Sequence, residues 1–328
     1  MATLRIGAHG LNHTLRAKHI FADRTTRTTT IATKNAEKQG SGLRYCRELA
    51  MQNLQDLYKI IVWSHEHGID FYRITSNLFP HIANPQYIHG PYTSLAYSLE
   101  PFRPILKQIG DYANAHKMRL TFHPGQYTRL NPLDDNILLN SKRDLHLHCT
   151  LLDMMGMGPD SICVIHGGGL YDNKEESEAR WIRNYKRLPA YIRHRIALEN
   201  DEECYSIEDV LRMSEAVFRD TRERLPIVFD LFHYICYNDM LRKKGLQPLP
   251  KAAIFMPRVI ASWGRRTVKM HYSEQKPHAS IGSHSTYVSS LPPLILNFTK
   301  KYGHSLDVMI EAKANERATL RLKKMYGL

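Results

Sequence analysis

Seven side chains able to bind a divalent metal stand at the ends of short apolar segments in this sequence. They are His123, His166, Glu199, Asp230, His233, His271 and Glu311. Imidazole and carboxylate groups gathered in one place are the ligands that a cluster of divalent metal ions needs. The sequence therefore predicts a metal centre, provided that the fold brings the ends of these segments together.

Eight short apolar segments are predicted to be β-strands, with segments of helical periodicity between them. They cover residues 4–7, 69–75, 119–123, 162–166, 195–199, 227–233, 268–271 and 308–311. Parallel strands need such crossovers, and eight of them close a barrel. We therefore expect an α/β fold, a TIM (β/α)8 barrel, as a single domain over residues 1–328 with its metal site at the C-terminal face of the strands. A doubly wound open sheet is the alternative, but residues 7–12 fit its phosphate-binding loop poorly.

The chain is strongly basic, with a net charge of +13 over 328 residues, which favours a polyanionic partner. Residues 1–48 hold nine Lys and Arg against three Asp and Glu, and residues 313–328 hold five against one. These termini are interpreted either as solubilising arms or as arms that contact the polyanion. Residues 13–43 and 239–250 are predicted to be loop insertions.

The composition gives an expectation for the compartment. The five cysteines are scattered without a paired spacing, which fits a reducing environment. The N-terminus lacks the apolar core of a signal peptide, and no apolar run approaches a membrane span. We expect an intracellular protein, cytoplasmic or nuclear, that is not secreted, has no membrane partner and is monomeric.

Two turns follow predicted strands and carry a histidine each. His123 begins the sequence His-Pro-Gly-Gln-Tyr, whose Pro-Gly pair forces a sharp turn that projects Gln126 and Tyr127 outward. His166 precedes three glycines that would let the backbone approach a ligand or phosphate closely. The alternative for His123 is an ordinary turn with a buried, hydrogen-bonded histidine. The alternative for the three glycines is a flexible turn without a ligand.

Lys269 and His271 lie two residues apart on a predicted strand, so both side chains point into the barrel. A lysine in a metal-rich interior is costly unless it is paired or chemically modified. The alternative is a lysine near the strand start that reaches solvent. His284 lies in a Gly/Ser-rich loop and is a weak candidate by itself.

With these residues assembled, the sequence resembles the UV damage endonuclease family, relatives of endonuclease IV within the xylose-isomerase-like barrels. The resemblance extends from Asn12 to Lys313. Its most specific parts are residues 123–127, residues 198–202, Asp230 with His233, Lys269 with His271, and residues 309–313. One departure is Ala8, which stands where the family has a tyrosine, so that His9 or an aromatic side chain from another loop would have to replace it.

The resemblance implies a metal centre, catalytic residues and a DNA contact. The implied metal ligands are His123, His166, Glu199, Asp230, His233, His271, His284 and Glu311. They would bind up to three divalent ions, with Mn2+ expected and Mg2+, Co2+ or Zn2+ as alternatives. The implied catalytic residues are Glu199, Asp230, His233, Lys269 and Glu311, with Lys269 at a position that can be carboxylated. Gln126, Tyr127 and Asn12 would contact the DNA or its lesion.

The implied reaction is hydrolysis of the phosphodiester immediately 5′ of a UV photolesion in double-stranded DNA, which leaves 3′-hydroxyl and 5′-phosphate ends. An apurinic-site endonuclease similar to endonuclease IV is the nearest alternative, because its metal framework would be nearly the same. A metal-dependent sugar isomerase is a second one, although a neutral sugar gains nothing from a basic protein. A catalytically inactive DNA-binding barrel is the third.

Overall fold

The computed structural model describes residues 2–171 and 173–328, and its centre is a closed barrel of eight parallel strands. The strands are β1 (Leu4–His9), β2 (Phe71–Ile74), β3 (Arg119–Phe122), β4 (Cys163–His166), β5 (Ile196–Glu199), β6 (Ile227–Asp230), β7 (Val268–Tyr272) and β8 (Leu306–Ile310). They are hydrogen-bonded in chain order, and β8 pairs with β1 to close the sheet. The predicted TIM barrel is confirmed.

Helices connect the strands and cover the outside of the barrel. They are α1 (His13–Arg16), α2 (Thr28–Glu37), α3 (Ser41–Glu66), α4 (Arg103–Ala115), α5 (Asp135–Met154), α6 (Lys174–Lys186), α7 (Ala190–Arg193), α8 (Ile207–Thr221), α9 (Leu231–Lys243), α10 (Met256–Trp263), α11 (Pro293–Leu296), α12 (Phe298–Tyr302) and α13 (Glu316–Tyr326). Helix α8 begins with a capping box, in which Ser206 and Asp209 bond each other's backbone N–H.

The prediction of a long loop over residues 13–43 is wrong, because this region contains α1, α2 and the start of α3. Ile31 on α2 is fully buried, and a side chain at Gly42 would collide with it. The connection between α1 and α2 is tied to α3 where the Arg24 guanidinium contacts Asp56 at 2.7 Å. A helix that buries one apolar residue in a Thr-rich stretch carries too little periodicity to be recognised from sequence.

The loop predicted at residues 239–250 and the strand predicted to reach His233 both need correction. Strand β6 ends at Asp230, and α9 starts at the next residue and runs to Lys243. The Asp230 carboxylate caps this helix by accepting a hydrogen bond from the His233 N–H at 2.7 Å. Leu231 and Phe232 continue the apolar run of the strand, so the sequence pattern does not show where β6 ends and α9 begins.

The basic termini are folded elements and not free arms. The first 48 residues include β1, α1, α2 and the beginning of α3. At the other end α13 packs against β1, where the Thr319 hydroxyl donates to the Gly7 carbonyl at 3.0 Å. Any contact that their positive charge makes with DNA must therefore come from the surface of the folded barrel.

Candidate metal centre and DNA-binding cavity

The C-terminal ends of six strands bring the predicted metal ligands together. Glu199 and Asp230 are the last residues of β5 and β6, His166 is the last residue of β4, and His271 is near the end of β7. His123 and Glu311 follow β3 and β8 directly. The apolar strand residues bury the base of the cluster, so that Glu199, Asp230 and His271 have no exposed surface.

Glu199 lies at the centre of the cluster. One of its carboxylate oxygens is 2.6 Å from His271 Nδ1, and the other is 2.9 Å from His123 Nε2 and 3.8 Å from His166 Nε2. His271 Nδ1 is also 3.2 Å from an oxygen of Glu311. A single carboxylate thus faces three imidazole rings from three other strands.

Among the residues that the structure describes, three groups of side chains place their ligand atoms within 4.8 Å of one another. The groups are His123 with Glu199 and His271, Glu199 with Asp230 and His233, and Asp230 with His271 and Glu311. Glu199, Asp230 and His271 each belong to two of them. This sharing is what a cluster of closely spaced ions requires, since a carboxylate has two oxygens with which to bridge.

Several polar atoms of the cluster are buried without a hydrogen-bond partner among the described residues. They are Glu199 Oε2, Asp230 Oδ2, His166 Nδ1 and His271 Nε2. The 2.9 Å contact of His123 with Glu199 Oε2 lacks the direction of a hydrogen bond. Each such atom costs about 1–3 kcal/mol when nothing pairs with it. A divalent cation would satisfy these oxygen and nitrogen donors, so the residues fit a metal.

The carboxylates of the cluster have perturbed pKa values. Burial raises the pKa of Glu199 well above its usual value, and the nearby charges of Glu311 and Asp230 raise it further. Burial likewise raises the pKa of Asp230. Burial acts in the same direction on Glu311, but the Arg73 guanidinium and neighbouring imidazoles outweigh it and hold that pKa well below the usual value. A bound cation would stabilise the ionised form of these crowded carboxylates.

The histidines of the cluster are mostly held neutral. Burial lowers the pKa of His123 and His271 well below the usual value and that of His166 to about 4. Neutral imidazole is the form that binds a metal. His233 differs, because burial is outweighed by Asp230, Glu199 and Glu202, which raise its pKa to about 10.

Asn200 orients two of the candidate ligands. Its amide exchanges two 2.9 Å hydrogen bonds with the backbone of Asp230. The Asn200 carbonyl lies 3.0 Å from His233 Nδ1, which leaves His233 Nε2 directed to the centre, 3.6 Å from Glu202. Such supporting contacts fix the orientation of metal ligands.

His284 stands at the edge of the cluster. Its Nδ1 is 2.6 Å from the Glu311 carbonyl, and its ring centre is 6.1 Å from that of His233. The histidine is outside the three compact groups formed by the described residues. The structure thus brings His284 next to the predicted ligands, and its metal contact stays a prediction.

Lys269 is fully buried inside the barrel, so the alternative of a lysine that reaches solvent is wrong. Its ammonium nitrogen is 3.3 Å from the Thr121 hydroxyl and 5.4 Å from the centre of the Phe71 ring. Burial, reinforced by Arg73 and Arg119, lowers the pKa of Lys269 well below the usual value. The shift favours the uncharged amine.

Arg73 is a site residue that the sequence reasoning did not assign. It lies on β2, and its guanidinium forms an ion pair with Glu311. The partners are distant in sequence, so no local motif reveals the pair. The one available signal was a charged residue within a short, otherwise apolar strand.

An open cavity of about 520 Å3 lies above the cluster. His123, His166 and Glu311 line its floor, and Gln126 and Tyr127 stand at its rim. The Tyr127 side chain is 74% exposed, in agreement with a turn that projects it outward. A second cavity of about 440 Å3 begins on the other side of Tyr127. The rim thus separates the candidate metal centre from a neighbouring space.

Three residues on or next to β1 were singled out in the sequence, and their surroundings differ from those of the other candidates. Asn12 is buried and caps α1, with its side-chain oxygen accepting from the Leu15 N–H at 2.9 Å, so its contact with DNA stays a prediction. Ala8 is fully buried, and His9 beside it has a buried Nε2 without a partner among the described residues. Burial and Arg73 lower the pKa of His9 to about 3.

Fold and site together define a TIM-barrel protein with a candidate metal centre at the C-terminal ends of its strands. Within this class, the family model described as UV-endonuclease UvdE matches residues 4–327. The chain belongs to the UV-endonuclease UvdE family, which confirms the resemblance found in the sequence.

Relatives of known name cover most of this chain. A protein of Acanthamoeba polyphaga mimivirus is 34% identical over 98% of this chain and 91% of its own length. The UV-damage endonuclease of Schizosaccharomyces pombe is 32% identical over 99% of this chain, which spans only 51% of the yeast protein. The solved structure of SacUVDE is 28% identical, has a TM-score of 0.78 and covers 99% of this chain and 98% of its own.

More distant structures share the barrel alone. An L-ribulose 3-epimerase is 12% identical, with a TM-score of 0.50 over 84% of this chain and 81% of its own. This similarity extends to the fold and carries no information on the substrate. Among the described helices, none combines the length and apolar character needed to cross a bilayer.

Proposed function

We propose that this protein is a metal-dependent DNA repair endonuclease that hydrolyses the phosphodiester immediately 5′ of UV photolesions in double-stranded DNA. The observation that carries the proposal is the cluster around Glu199, whose unpaired buried atoms lie beneath a cavity rimmed by the exposed Tyr127. Membership of the UvdE family supports the DNA substrate.

The metal centre would consist of His123, His166, Glu199, Asp230, His233, His271, His284 and Glu311. We propose up to three ions, with Mn2+ as the metal. Divalent ions held by these residues would supply a nucleophilic hydroxide near neutral pH and would neutralise charge on the phosphodiester oxygens. Glu199, shared by two of the compact ligand groups, would fix the spacing of these ions.

The protein's own groups hold this arrangement in place. The Arg73 guanidinium keeps Glu311 ionised and aimed at the centre. Asn200 fixes Asp230 through its backbone and fixes the ring of His233. The neutral imidazoles add no charge, so bound cations would leave the site positive and attractive to a phosphate.

Lys269 is proposed to act in modified form. Its lowered pKa favours the uncharged amine, which is the form that reacts with carbon dioxide to give a carbamate and a released proton. A carbamate would add an anionic oxygen ligand on the inner side of the centre, next to Thr121. Mass spectrometry under gentle conditions would detect the added carboxyl group.

Lesion recognition would use the rim. A pyrimidine dimer weakens stacking and pairing, so extruding it costs less than extruding sound bases. Gln126 and Tyr127, both exposed, could fill the vacated space as a wedge. The positive charge of the protein would hold the backbone without reading its sequence. A monomeric, cytoplasmic or nuclear protein remains the expectation from the sequence.

The test is incubation with Mn2+ and a duplex that carries one cyclobutane pyrimidine dimer, beside undamaged and abasic duplexes, with mapping of the ends. A nick immediately 5′ of the dimer is expected. Cleavage of the abasic duplex alone would move the protein to the endonuclease IV type of activity. No cleavage of any duplex, with metal content verified, would contradict the proposal and direct attention to small-molecule substrates.

A further inference from the structure

Arg129 lies where the two cavities on either side of Tyr127 meet, and it lines both of them. Its backbone N–H donates to the Ser141 hydroxyl on α5 at 3.1 Å. A side-chain carbon at Gly168 would lie 3.1 Å from Arg129 Cβ, so the arginine packs against the glycine turn that follows His166. The backbone and the first side-chain carbon are therefore held, and the residue lines the same cavity as His123, His166 and Glu311.

The guanidinium of Arg129 has no partner among the described residues. Its Nε is buried without an acceptor, and no described carboxylate lies within salt-bridge distance. The nearby Arg180 contrasts with it, because that guanidinium donates to the Asn131 carbonyl at 3.1 Å and lies over the Tyr171 ring. A buried, unpaired N–H is costly. Arg129 therefore has hydrogen-bonding capacity to offer to a ligand.

The charge around the cavity indicates what that ligand is. Asp201, Glu202 and Glu203 line the same cavity, and Arg129 is the one Lys or Arg among the described lining residues. A polyanion that enters past these acidic side chains needs a fixed cation near the rim. Arginine suits this task because its planar fork of N–H groups matches the oxygens of a phosphate.

We infer that Arg129 binds a backbone phosphate of DNA at the rim, between the candidate metal centre and the bases that Tyr127 is proposed to contact. The inference rests on the proposed function for the identity of the anion. It adds to the site a fixed positive group that holds the backbone at the point where the wedge enters. Arg129 would thus position the strand and take no part in the bond cleavage.

The test measures DNA binding by metal-free protein, in EDTA, to a duplex with one cyclobutane pyrimidine dimer and to the same duplex undamaged. Fluorescence anisotropy between about 50 and 200 mM salt gives the slope of log affinity against log salt. Arg129→Gln is expected to bind about tenfold more weakly, with the slope reduced by about one. Arg129→Lys should restore the slope but only part of the affinity, since lysine keeps the charge and loses the fork.

The matched control is Arg187→Gln, which removes the same charge from an exposed position beyond the end of α6, toward the N-terminal end of the barrel. Its slope is expected to stay within the error of the unsubstituted protein. An unchanged slope in Arg129→Gln, an equal fall in the control, or no DNA binding by the unsubstituted protein would each overturn the inference.

Folding and metal loading are checked separately from binding. Thermal unfolding and metal content of Arg129→Gln should match those of the unsubstituted protein, because the hydrogen bond of Arg129 to Ser141 uses the backbone N–H, which the substitution keeps. Dimer cleavage with a normal slope in Arg129→Gln would remove this inference and leave the proposed function. A reduced slope in Arg129→Gln, together with no cleavage of the dimer-containing duplex by the unsubstituted protein, would support this inference and contradict the proposed function.

Discussion

The two ends of the barrel interior bury charge in opposite ways. At the N-terminal end, both oxygens of Asp307 are bonded, to Arg5 at 2.7 Å and to Arg119 at 3.0 Å. At the C-terminal end, Glu199 and Asp230 each keep an oxygen without a partner among the described residues. The carboxylate at the N-terminal end is paired with arginines on both oxygens, whereas at the C-terminal end Arg73 pairs with Glu311, and the free oxygens of Glu199 and Asp230 would accept a cation from solution.

The difference shows which end is built for stability and which for function. A buried carboxylate paired with arginine supports the fold, and removal of one partner exposes the other to an unfavourable environment. A buried carboxylate with an unused oxygen would instead make the metal-free protein less stable and would favour the binding of a metal ion. TIM barrels place their chemistry at the C-terminal ends of their strands, in agreement with this division.

The largest effect is expected from Glu199→Gln at the functional end. Metal affinity should fall at least about a hundredfold, since loss of a supporting group alone costs about 10- to 100-fold, and DNA cleavage should fall with it. Glu199 has a raised pKa when folded, so at neutral pH its ionisation in the unfolded chain favours unfolding. The metal-free variant should therefore unfold at the same temperature as the unsubstituted protein or a higher one.

Metal titration by calorimetry and thermal unfolding of the same metal-free sample check this prediction. A metal-free Glu199→Gln protein that unfolds well below the unsubstituted one would show that Glu199 stabilises the fold. The contrast between the two ends would then fail.

Asp307→Asn at the opposite end should give the reverse pattern. The buried Arg119 would lose its ion pair, and we expect a loss of about 3 kcal/mol in the free energy of unfolding. Metal content and the position of the nick should be unchanged, because Asp307 lies at the other end of β8 from Glu311. Denaturant unfolding and elemental analysis provide the measurements, and a loss of bound metal in a folded variant would break the comparison.

The strands and most candidate ligands could be predicted because apolar runs that end in His, Asp or Glu are a local signal. Helix α2 could not, since only Ile31 of its ten residues is buried. The end of β6 was obscured because Leu231 and Phe232 are apolar in the helix as well as in a strand. The strands and candidate ligands were thus predictable from local sequence patterns, whereas such a pattern was absent for α2 and ambiguous at the end of β6.

Contacts between segments that are distant in the chain could not be predicted from the sequence. The pair of Arg73 with Glu311 joins β2 to the end of β8, and Arg129 meets Gly168 only when the third and fourth turns are side by side. Asn12 shows the opposite difficulty, because a residue within a recognised family pattern is buried as a helix cap. Assigning such residues requires the folded geometry.

The most direct test of the central claim is equilibrium dialysis of metal-stripped protein against Mn2+, followed by elemental analysis and thermal unfolding. We predict more than one and up to three ions per chain, together with a rise in the unfolding temperature, because only the folded state assembles the ligands. No bound manganese, or binding that leaves the unfolding temperature unchanged, would contradict the claim that the unpaired groups at the C-terminal end form a metal centre.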